Sequence, residues 1–137
     1  MIYTSYFAKM NKFPSNMIPV AICGGIPSWY TGKWYRKPAP KLGFFKEWKQ
    51  NHDNNFYIEH YNAEVLDQLD YLVVLNQLQM LVPEDIREKL DAPIWRSKDY
   101  HLVLLCYEKS GDFCHRHLFA DWLNKKAELS ITEWSEN

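Results

Sequence analysis

Tyr100-His101-Leu102-Val103-Leu104-Leu105-Cys106-Tyr107-Glu108-Lys109-Ser110-Gly111-Asp112-Phe113-Cys114-His115-Arg116-His117 is the stretch whose reading decides the fold. It opens with a short, nearly continuous apolar run, as expected for a strand buried on both faces. A polar loop follows from Tyr107 to Asp112. Beyond it Leu118, Phe119, Trp122 and Leu123 fall at helical spacing, which predicts a helix from about Phe113 to about Glu128, with Asp112 or a neighbour as N-cap.

Working outward, Ile2–Phe7 is rich in β-branched and aromatic residues and reads as a first strand. Met17–Cys23, closed by Gly24-Gly25, reads as a second, buried strand. Ile26–Pro40 is broken by Pro27, Gly32, Pro38 and Pro40 and is expected to be irregular. Lys41–Gln50 suits a short helix with Phe44, Phe45 and Trp48 at helical spacing. Asn51–Asn55 is a polar turn, and Phe56–Tyr61 is ambiguous. A helix is predicted from an Asn62 cap through Val65, Leu66, Leu69, Leu72 and Val73, running on to Leu81. Glu84–Leu90 is a short amphipathic helix, and Ser130–Asn137 a tail with Trp134 docked. Strands separated by helices, without repeats or linkers, predict one compact α/β domain over residues 1–137: a mostly parallel sheet flanked by helices. Ligands gather outside the carboxyl ends of such strands, which draws attention to the loops after Phe7, Cys23 and Cys106.

Composition narrows the class. The 137 residues suffice for one core. A formal net charge of −1 lacks the global basic excess of a nucleic-acid binder. Charge is uneven, however: Lys33, Arg36, Lys37, Lys41, Lys46 and Lys49 face only Glu47 in their segment, so a local basic face is possible. Three Cys do not form a disulfide framework, and neither a signal peptide nor a membrane span is visible. The expectation is a reduced, cytoplasmic protein, with oligomeric state open.

Chemistry concentrates between Cys106 and His117. Cys114 falls in the first turn of a helix, where a thiolate is favoured, and Arg116 and the two His add fixed or switchable positive charge. Cys106, Cys114, His115 and Glu108 are the catalytic candidates; Arg116 and His117 are candidates for holding an anion. Cys106 can equally be a small buried hydrophobe, and Glu108 can pair with Arg116 in a purely structural role. Cys106, Cys114, His115 and His117, with Cys23 near, are acceptable metal ligands, but the short Cys-x2–4-Cys knuckle is missing, so no metal and no cofactor is assigned. Trp29, Tyr30, Trp34 and Tyr35, interleaved with Lys33, Arg36 and Lys37, can stack nucleobases or cover the sheet edge. Tyr30, Trp34 and Tyr35 are taken as an aromatic wall of the site, and Ser5 joins the substrate-binding set.

Cys106-Tyr107-Glu108 followed by Cys114-His115-Arg116-His117 resembles the signature of the domain of unknown function 488. The resemblance extends to Ile2–Phe7, Ile18-Pro19-Val20, Tyr30-x-Gly32-x-x-Tyr35, Ala39-Pro40 and Val65-Leu66, and it is closest to the short bacterial and phage branch. Ser110 stands where many relatives have Pro, and Leu81–Asp99 is longer than the usual link. The resemblance implies a compact α/β fold and a shared site, without a defined reaction.

Two functions follow. One is a small enzyme or ligand-binding protein for an anionic nucleotide or nucleic-acid fragment, using a Cys-His-Arg site. The other is a non-catalytic nucleic-acid or protein-interaction module in which that cluster ties strand to helix. The first requires Cys, His and Arg to converge on an open pocket; the second requires them buried and hydrogen-bonded to one another.

Overall fold

A computed structural model describes residues 1–136. Its sheet has five strands: β1 (Ile2–Tyr6), β2 (Met17–Ala21), β3 (Lys33–Trp34), β4 (His101–Cys106) and β5 (Thr132–Glu133). All pair in parallel, in the order β3-β2-β4-β1-β5, so the apolar run ending at Cys106 is the central strand. The apolar run needs two covered faces, and it has them. Leu102 and Leu104 join Ile18, Val20 and Phe119 in one core cluster. Val103 and Leu105 join Met17, Ala21, Phe7 and Tyr30 in another.

The helices are α1 (Leu42–Asn51), α2 (Asn54–Glu64), α3 (Tyr71–Leu81), α4 (Glu84–Arg87) and α5 (His115–Ala127). Phe44, Tyr57, Tyr61, Val74, Leu78, Phe119 and Leu123 bring four of them onto the first cluster. The second face is covered more thinly, by a 3₁₀ segment (Phe7–Lys12), the loop carrying Tyr30, and Trp134. No helix among the described residues is long and apolar enough to cross a membrane.

Three local expectations are corrected. Asn62 does not open a helix; it lies inside α2, whose cap is Asp53, accepting from the N–H groups of Asn55 and Phe56. The long predicted helix is two helices, because Asp70 caps α3 through the Leu72 N–H and Leu69 is extended. A carboxylate that binds orphan N–H groups restarts the helix there. The expected tail contains β5, whose Thr132 and Glu133 pair with Tyr3 and Thr4. Trp134 is docked, as expected: its N–H donates to Thr4 O at 2.8 Å and its ring meets Phe13 edge-on. Asn137, the last residue of the expected tail, lies outside the described residues.

Candidate functional site at the carboxyl edge of the sheet

A cavity of about 920 Å³ is bordered by the segments that leave β2, β3 and β4. After β2 come Cys23, Gly24 and Gly25; after β4 come Cys106, Tyr107 and Glu108; His115 enters from the start of α5. Two of the three loops singled out by the strand-end rule therefore meet here. The loop after β1 does not line the cavity. The segment after β3 takes that place, contributing Arg36, Lys37, Ala39, Pro40 and Lys41, with Leu42, Phe45 and Lys49 from α1. Four cations and one carboxylate, Glu108, are thus among the lining residues. Leu42, Phe45, Leu69 and Pro40 supply an apolar wall. The mixture suits a ligand with anionic groups and a flat apolar part.

At the inner end the sulfurs of Cys106 and Cys114 lie against each other, with Cα atoms 7.7 Å apart, wider than a disulfide spans without backbone movement, and Cys23 is a third, buried thiol. Residues 8 positions apart in sequence are brought together because one ends a strand and the other opens the helix folded back on it. Cys114, not Asp112, is the N-cap of α5, its sulfur accepting from the Arg116 N–H at 3.5 Å.

His115 is buried, and its Nε2 lies 2.8 Å from the Ile22 carbonyl. A carbonyl only accepts, so Nε2 carries the proton and Nδ1 presents a lone pair. Nδ1 lies 3.8 Å from Cys114 Sγ. Burial, with smaller contributions from Arg116 and His117, pushes the His115 pKa down to about 4. The ring is therefore neutral near pH 7 and able to accept a proton.

Arg116 is fully buried and is not part of the cavity lining. This corrects its place as the anion holder. Its Nη1 donates to Cys106 Sγ at 2.9 Å and to the Glu108 carbonyl at 2.5 Å. Nε and Nη2 donate to Glu133 Oε1 and Oε2 at 3.1 and 2.8 Å, a two-point clamp. The carboxylate paired with Arg116 is thus Glu133, and Glu108 offers only its backbone carbonyl. Thr4 Oγ1 and Ser110 Oγ also donate to Glu133, at 2.6 and 2.7 Å. Burial alone would raise the Glu133 pKa, but these bonds overcome it and hold the carboxyl below its usual range. Ser110 thereby ties the loop to the sheet edge.

The remaining expected residues scatter. Tyr30 and Tyr35 are core rings: Tyr30 Oη accepts from Ala21 N–H at 3.2 Å and donates to Lys33 O at 2.5 Å, and Tyr35 Oη donates to Gln77. Trp34 is 37% exposed but lies outside the cavity, its indole N–H on the Cys23 carbonyl and its face under Arg36. The aromatic wall of Tyr30, Trp34 and Tyr35 is therefore not built. Ser5 is buried, lies outside the lining, and its hydroxyl has no hydrogen-bond partner among the described residues. His117 is half-buried and also outside the lining; burial, then Arg116, lowers its pKa. Cys106, Cys114 and His115 hold ligand atoms within 4.8 Å of one another, a soft donor set. His117 is not among them, and the Arg116 guanidinium against Cys106 opposes a cation there.

Glu133 is the residue that local reading missed. It reaches the site only because β5 joins the sheet beside β1, and no short motif encodes that. The cations Arg36, Lys37, Lys41 and Lys49 were visible as a basic segment, but nothing in their spacing places them on the cavity. No curated protein and no solved structure matches the chain. A family model, DUF488-N3a, described as the active DUF488-N3 subclade, matches residues 23–127, the span that holds every cavity residue named above, and the chain belongs to the DUF488 family.

Proposed function

We propose that the chain is a small enzyme for an anionic, nucleotide-like substrate, with Cys106 as its reacting sulfur. The observation that carries this reading is the position of Cys106, which borders the cavity while Arg116 Nη1 touches its sulfur at 2.9 Å. A fixed positive charge beside a thiol favours the thiolate. The reading requires the dithiol form of Cys106 and Cys114. In that form Arg36, Lys37, Lys41 and Lys49 hold phosphate groups, and Phe45 and Leu42 flank a flat ring. The Cys106 thiolate attacks an electrophilic centre and forms a bond from sulfur to it. The leaving group departs with the electron pair of the broken bond and takes its proton from water, while His115, neutral near pH 7, keeps its Nδ1 lone pair beside the cysteines. Arg116 is a positioning residue in this scheme: it stabilises the sulfur and does not touch substrate.

Binding of a mononucleotide such as AMP to the reduced protein, followed by calorimetry, tests the reading. Binding that weakens in Lys41→Ala/Lys49→Ala supports it; no binding by the reduced wild type overturns it.

A second reading has its own support. Cys114, Arg116 and Glu133 are hydrogen-bonded in the manner of a knot tying α5 to β1 and β5. The site is thus divided: Cys106 and His115 border the cavity, while Arg116 and Cys114 lie behind them. If the knot is the whole role, the chain is a binding module, and substitutions there change stability without changing any reactivity of Cys106.

A further inference from the structure

We infer that the nucleotide in this cavity belongs to a single-stranded nucleic acid, whose neighbouring bases stack on Tyr107 and Trp29. The inference rests on the proposed nucleotide site and extends it beyond the cavity. Tyr107 lines the cavity and is 54% exposed, although it directly follows the fully buried end of β4. Its ring packs on buried Phe7, with centroids 4.9 Å apart. On Phe7 also sits Trp29, at 6.1 Å and 58% exposed. Two large open rings are therefore fixed on one buried ring, beginning at the cavity mouth. A surface side chain held this way loses little freedom on stacking with a base, and any base offers a face to it.

Charge complementarity identifies the occupant. The four cations among the lining residues match a phosphodiester backbone, whereas an apolar protein partner would leave them unpaired. A duplex hides its base faces within the stack, so open rings beside a cavity suit an unpaired strand. The small number of cations also fits a chain with no overall basic excess: binding is local and its salt dependence moderate. Four phosphate contacts on a single strand give a slope of log K against log salt of about −3.

The experiment uses the reduced full chain and a fluorescein-labelled oligothymidylate of ten residues, read by anisotropy, beside dTMP read by calorimetry. The strand is expected to bind more tightly than dTMP and more tightly than a duplex of the same length. Trp29→Ala is expected to lower the ratio of strand to dTMP affinity about 5- to 160-fold, the range of one lost stacking contact. Circular dichroism shows whether the variant keeps its fold, and Trp29→Phe is expected to restore most of the ratio. Equal affinity for strand and dTMP, or an unchanged ratio in Trp29→Ala, overturns the strand while leaving the nucleotide site standing. Polyglutamate or duplex binding as tight as the strand also overturns it, showing a general polyanion surface. Failure of both dTMP and the strand to bind overturns the nucleotide site itself.

Discussion

Arg116 donates through Nη1 to Cys106 Sγ at 2.9 Å while its other two nitrogens are clamped by Glu133. A guanidinium with no exposure is thereby held by one carboxylate from the last strand and turned toward the sulfur at the end of the central strand. Replacing Arg116 by Met removes the charge at similar length. In the reduced protein, Cys106 alkylation near pH 7 should slow about tenfold for each unit by which the thiol pKa rises. The same change leaves Glu133 without its ion-pair partner and should cost on the order of 3 kcal/mol by urea denaturation. Loss of stability without loss of reactivity favours the knot.

The state of the sulfurs is measurable directly. Denatured, the chain should take three alkyl groups with or without prior reduction, since the Cα atoms of Cys106 and Cys114, 7.7 Å apart, are too widely spaced for a disulfide. In the folded, reduced protein Cys23 should label slowly, because burial pushes its pKa up to about 11. Mass spectrometry of the adducts checks both counts. One adduct without reductant would show that Cys106 and Cys114 are paired.

Acid should destabilise the fold through His115. Its pKa is about 4 when folded, against 6.5 for the unperturbed ring. Between these values the unfolded chain binds the extra proton, so stability is fully present above about pH 6.5 and falls as pH drops toward 4. The full effect is about 3 kcal/mol. Glu133, held below its usual range, acts in the same direction at lower pH. Urea midpoints at pH 7.5 and 5 should differ in the wild type and differ less in His115→Gln.

Tyr30-x-Gly32 is a packing device. A Cβ at Gly32 would overlap the Tyr30 hydroxyl and lie 2.6 Å from its Cζ. The ring cannot retreat, since its hydroxyl is bonded to both β2 and β3 backbones. Gly32→Ala should therefore lower stability by about 1–3 kcal/mol through overpacking. Trp34→Ala, at a partly exposed ring, should cost less than Tyr30→Ala, which empties a core position for about 3–5 kcal/mol. Thermal melts of the three variants give the ranking.

Much of this was legible in the sequence, for physical reasons. The apolar run to Cys106 needed two covered faces, and the change of period after Asp112 marked a helix, so the strand–loop–helix unit was determined locally. The break between α2 and α3 was hidden because Val65, Leu66, Leu69 and Leu72 keep an apolar rhythm across it, while Asp53 and Asp70 cap the helices. The aromatic wall was misplaced for a similar reason. Crowding in a Gly- and Pro-rich loop says that rings are present, not which of them close the sheet edge. Tyr30 and Tyr35 do so; Trp29 remains open beside Phe7. Tyr107 read only as part of a polar loop, and Glu133 as part of a tail, since the contacts that give each its place come from β1 and the segment after it.

The account turns on Cys106 and the cations sharing one cavity, and a single rate tests that. The reduced protein is alkylated with iodoacetamide near pH 7 at increasing AMP, and modification of Cys106 is followed by mass spectrometry. The account predicts that AMP slows Cys106 modification in a saturable way, and that Lys41→Ala/Lys49→Ala shifts the protection to higher AMP. Cys106 modified at the same rate with and without saturating AMP would contradict it.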